Sequence, residues 1–161
     1  MQTADIRVVM LRDLRALGRE IALYPDDATL WQHIPGITNS GGTLALHLAG
    51  NVRHFVGAVL GGSGFLRDRD AEFTRRDVSR AELAALVEAA IGEVDHALTP
   101  LTEAEWAAPY PLEIGGNRYT TVRWLTHLVS HLGYHLGQID YHRRIVAPQS
   151  GTAQAMALGE L

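Results

Sequence analysis

His127, His131 and His135 stand at a strict four-residue spacing within the run Thr126–Gln138. Four residues slightly exceed one helical turn, so successive imidazoles stack along one helix face, about 5–6 Å apart at Cβ. Two side chains so placed can hold one metal ion, and neutral imidazole is the commonest nitrogen ligand. An earlier segment carries His47 and His54 at a spacing that also returns to one helix face. His47 with His131 and His135 would supply three neutral nitrogens and leave a coordination position open, the mark of a catalytic rather than a structural site. The same residues also fit a metal-free reading. In that reading the histidines are core residues bonded to backbone carbonyls, to Tyr134 or to Asn51.

Two helices must position these side chains. The last spans about residues 121–146 and is about 39 Å long. On a helical wheel His127, His135, Gln138, His142 and Trp124 all fall within about 40° of His131. Leu125, Leu128, Leu132, Leu136 and Ile139 form the apolar arc beside them, so the imidazoles are expected to face inward. The second helix, about 42–60, takes Asn39 or Ser40 as its N-cap and closes at Gly61-Gly62. There His47, Asn51 and His54 form a polar stripe beside Leu44, Leu48, Val52, Phe55 and Val59.

The rest of the chain supplies supporting elements. Residues 4–23 show a helical period stopped by Pro25. Ser79-Arg80-Ala81-Glu82 is a capping box opening a third helix to about Leu98, and Thr102-Glu103-Ala104-Glu105 repeats it before a single short turn. Leu112–Thr120 alternates around Gly115-Gly116 as a small hairpin would. Residues 62–77 read as a charged surface loop and 147–161 as a weakly patterned tail. His33 is expected at the surface, His96 at the polar end of the third helix, and His142 in a structural or solvent-facing place. Four long helices with one long crossing connection predict an all-α fold, an antiparallel four-helix bundle forming a single domain over residues 1–161.

Composition narrows the chemistry. The chain has 161 residues, 47% hydrophobic and 20% charged, which is ordinary for a globular protein. A formal charge of −4 leaves no basic footprint for nucleic acid, and Arg75-Arg76 and Arg143-Arg144 read as solvated helix ends. Cysteine is absent, which excludes disulfides, thiolate metal sites and a cysteine nucleophile. No signal-peptide pattern and no long apolar stretch occur, so a cytoplasmic protein without membrane contact is expected.

Residues Trp124–Ile139 resemble the last-helix motif of the DinB-like superfamily, with two histidines one turn apart followed by Gly137-Gln138. Asn39–Leu48 resembles its second motif, a histidine early in the second helix after a polar lead-in. That superfamily of four-helix bundles includes bacterial thiol transferases and mycothiol-dependent maleylpyruvate isomerases. The resemblance covers residues 5–146 and makes His47, His131 and His135 the metal ligands, with Gln138 supporting the site. His127 and His54 fall outside that ligand set and are the candidate catalytic residues, either able to act as general base.

The resemblance implies a divalent ion, zinc or nickel first and iron next. With it comes a metal-dependent enzyme that transfers a low-molecular-weight thiol to an electrophilic small molecule, or a related hydrolase. Such an ion lowers the pKa of water to about 7 or holds a thiol as thiolate. The alternative is a non-catalytic metal- or ligand-binding bundle connected with stress. The substrate pocket is expected from loops 24–41 and 62–77. Thr126, Ser130, Gly133 and Gly137 make a small outer face suited to a homodimer, or to packing against the chain's own tail.

Overall fold

The computed structural model describes residues 3–160. Helix α1 (Thr3–Leu23) buries Ile6, Met10, Leu14, Leu17 and Ile21 along one stripe and ends before Tyr24-Pro25. A single turn, α2 (Asp27–Leu30), is capped by the Asp26 carboxylate, which accepts from Thr29 N at 2.7 Å. Helix α3 (Gly41–Val52) starts at Ser40, whose hydroxyl accepts from Thr43 N at 3.2 Å, and every one of its residues is buried. The chain continues from α3 as a π-helix over Arg53–Ala58.

Helix α4 (Arg69–Thr74) is capped by Asp68. The two sequence capping boxes close as expected, Ser79 with Glu82 on α5 (Arg80–Leu98) and Thr102 with Glu105 on α6 (Glu103–Ala107). Thr120 caps α7 (Thr121–Val146). A 3₁₀ turn spans Leu158–Glu160.

Helix α1 packs against α5 and α7, and α3 packs against the same two helices and against α4. Their apolar stripes merge in one cluster that includes Met10, Leu14, Leu48, Leu83, Val87, Leu125 and Leu132. The fold is all-α. Among the described residues no helix is long and apolar enough to cross a membrane.

Three local expectations need correction. Residues 62–77 are not only loop, because α4 forms within them and docks on α3. The expected hairpin is reduced to two isolated bridges, Pro109 with Thr120 and Ile114 with Asn117. Pro109 and Pro111 lack the amide hydrogens a longer ladder requires. Gly115 and Gly116 do make the turn, with φ of +57° and +76°.

The tail is tied down. Arg143, expected in solvent, is fully buried; it pairs with Glu20 and donates to Ser150 Oγ and to Gly151 O at 3.0 Å. Arg19 Nε meets Ala153 O at 2.8 Å. His142 is buried too. Its Nε2 donates to Gln32 O at 2.9 Å, which leaves Nδ1 to accept from the Tyr24 hydroxyl at 2.8 Å.

Candidate metal centre

His47 is carried by the second turn of α3, and His131 and His135 by successive turns of α7. Because α3 and α7 pack together, the three imidazoles converge, with one nitrogen of each within 4.8 Å of the others. His47 Nε2 and His131 Nε2 are 3.2 Å apart. Two nitrogens at 2.0–2.1 Å from one tetrahedral ion lie about 3.3 Å apart, so this spacing is that of a shared ligand pair. The rings stand nearly perpendicular, at 80° for His47 with His131 and 85° for His131 with His135.

The outer nitrogens decide which lone pairs are free. His47 Nδ1 is 2.9 Å from Glu72 Oε2. A carboxylate only accepts, so Nδ1 holds the proton and Nε2 turns a lone pair inward. Arg67 in turn grips both Glu72 oxygens, at 2.7 and 2.8 Å. His135 Nδ1 donates to Gln138 Oε1 at 2.6 Å, which frees its Nε2 in the same way. His131 Nδ1 is buried without a hydrogen-bond partner.

Electrostatics favour the neutral form of two of the three donors. Burial, reinforced by the positive charge of His135, His47, His127 and Arg67, pushes His131 down to a pKa of about 4. His135 is also lowered, by burial first, against the bond to Gln138. Burial alone would raise the Glu72 carboxyl, but the bonds from His47 and Arg67 override it and hold the group ionised. An imidazole trio backed by one carboxylate fits a divalent cation, and Glu72 offsets part of its charge. Zinc, nickel and iron all suit such nitrogen ligands.

His127 and His54 lie outside this trio. His127 is exposed rather than inward-facing; its ring stacks on Trp124 at 5.0 Å and lies 6.3 Å from the His131 ring. His54 falls at the start of the π-helical turn, where the 3.6-residue wheel no longer applies. Its ring contact is with Phe55, and it makes no hydrogen bond or ring contact with the trio. Burial, with the Arg67 charge, lowers its pKa. His33 and His96 are exposed.

Glu72, Arg67 and Phe73, whose ring is 4.9 Å from that of His47, complete the centre. The sequence reading missed all three, because Glu72 and Phe73 lie on a six-residue helix too short to show a period and Arg67 lies in the irregular segment before it. The available signal was aromatic: Phe65 and Phe73 are out of place in a solvated loop.

Two clefts flank the centre. One of about 440 Å³ lies beside His135, lined by Thr38, Asn39, Tyr134, Gln138 and Tyr141. The other, about 480 Å³, lies beside His127 and is walled by residues 114–119 and the start of α7. The loop at 36–39 lines the cleft beside His135. Residues 65–75 instead line a smaller cavity of about 190 Å³ that touches Glu72.

The sequence profile of the DinB superfamily matches residues 10–139, a span that contains both histidine helices, and the chain belongs to that superfamily. No curated protein matches it.

Proposed function

We propose that this protein is a divalent-metal-dependent enzyme that transfers a low-molecular-weight thiol to an electrophilic small molecule, with hydrolysis as the nearest related reaction. The observation that carries the reading is the convergence of His47, His131 and His135, with His47 fixed by Glu72 and a cleft that His135 lines. A bound ion would supply Lewis acidity, which stabilises a thiolate near neutral pH. The chain has no cysteine, so the sulfur must arrive on a cosubstrate. His127, exposed and 6.3 Å from the His131 ring, would accept the thiol proton in this reading. His54, turned toward Phe55, is the weaker candidate.

Turnover of thiols with electrophiles by the metal-loaded protein tests the reading. His131→Ala should abolish it, and equal rates in variant and wild type would overturn the proposal. Elemental analysis should find near-stoichiometric metal in the wild type and little in His47→Ala.

The pairing of α1 and α3 with both α5 and α7 supports the antiparallel four-helix bundle. Thr126, Ser130, Gly133 and Gly137 are exposed, which favours a homodimer through that face over packing against the tail. Sedimentation equilibrium with Gly133→Arg is the test, and an unchanged mass would remove this interface.

A further inference from the structure

The cleft beside His127 differs in character from the one beside His135. Arg123 is the one fully charged side chain on its lining, and the cleft beside His135 has none. The Arg123 guanidinium lies over the Tyr119 ring, 5.2 Å from its centroid, a contact with the planar face of the cation. The only acid between Pro109 and Trp124 is Glu113, which faces Arg118 at 4.0 Å.

The far wall is firmly built. Ile114 and Asn117 exchange backbone hydrogen bonds at 2.8 and 3.0 Å, and Tyr110 N donates to Tyr119 O at 2.8 Å. Opposite stands the His127 ring, stacked on Trp124 with 19° between planes, and from there 6.3 Å separates it from His131. A cation, two aromatic faces and a preformed wall thus meet in a cleft of ligand size.

We propose that this cleft binds a small planar carboxylate, with Arg123 pairing to the carboxylate and the Tyr119 and His127 rings flanking an unsaturated or aromatic body. The guanidinium edge matches a carboxylate in a two-point arrangement that a neutral amide cannot reproduce. As the subsite for the electrophile, the inference rests on the enzymatic reading above. The binding itself does not depend on turnover, so the two can fail separately.

The test is calorimetric titration of the full chain with trans-cinnamate and its neutral isostere trans-cinnamamide. Cinnamate should bind the wild type more tightly than the amide and lose affinity at high salt. Arg123→Met keeps the apolar stem of an exposed residue, and should weaken cinnamate about tenfold or more while leaving the amide nearly unchanged. His131→Ala should retain cinnamate binding. Equal affinity for acid and amide, or no effect of Arg123→Met, would overturn the proposal. So would loss of cinnamate in His131→Ala with retention in Arg123→Met, which would put the carboxylate on the histidine centre instead. Cinnamate binding without any thiol turnover would count against the enzymatic reading alone.

Discussion

A histidine held neutral inside a protein leaves a mark on stability. His131 titrates near 4 when folded, against an ordinary value of 6.5, because burial and neighbouring positive charge disfavour its protonated form. Between those two pH values the unfolded chain binds a proton that the folded chain refuses. The contribution is complete above about 6.5 and is lost as pH falls toward about 4. Burial raises Asp13 and Glu20 despite their arginine partners, and these carboxyls act with the opposite sign. The readout is therefore the difference between metal-free wild type and His131→Gln in denaturant titrations at pH 7 and pH 4.5. The wild type should lose more stability than the variant, and parallel losses would refute the assignment. Glu72 gives the companion test. Glu72→Gln removes the charge behind His47 and should lower metal affinity about 10- to 100-fold, measured against a chromophoric chelator.

At the scale of elements, the decisive contact is α4 on α3. Gly50 lies on the buried face of α3, and a Cβ there would overlap Glu72 Oε1 and come within 2.9 Å of its Cδ. Elsewhere in a helix, alanine for glycine adds about 0.5–1 kcal/mol of stability. Here the methyl group must displace a carboxylate already held by Arg67 and His47. Gly50→Ala is expected to weaken metal binding without touching any ligand, and to lose the usual helical gain in thermal denaturation. Unchanged metal affinity would show that α4 does not set the orientation of His47. The π-helical turn works at this scale as well. It directs Tyr110 Oη to Phe55 O at 2.6 Å and carries Arg53 to Glu93 at 2.8 Å, which locks the end of the histidine helix to α5 and to the α6–α7 connection.

Across the whole molecule, Arg143 joins α1, α7 and the tail from a fully buried position. Removing one member of a buried ion pair leaves the other unpaired, at a cost of about 3–5 kcal/mol. Arg143→Met should destabilise by that order in urea titrations, and Arg143→Met with Glu20→Leu should recover much of the loss. A double variant no better than the single would argue that the tail contacts, not the ion pair, carry the effect. Metal adds a second global term. An ion bound at one hundred times its dissociation constant stabilises by about 2.7 kcal/mol, so chelation should lower the melting temperature of the wild type and leave His47→Ala unmoved.

The sequence by itself determined the long helices, their caps and the pairing of His47 with His131 and His135. The helices and caps rest on local hydrogen bonding and on a periodicity that one segment displays alone, as the boundaries of α7 and the Ser79 and Thr102 capping boxes illustrate. The histidine pairing across two helices was legible through the two motifs that resemble the DinB-like superfamily. Only the tertiary structure decided what surrounds them. Glu72 reaches His47 across 25 positions, Arg143 is buried by α1 and the tail, and His127 is exposed and stacks on Trp124 although the wheel sets it about 40° from His131. Each depends on which neighbour covers a given stretch of helix surface, a property of packing that no periodicity encodes.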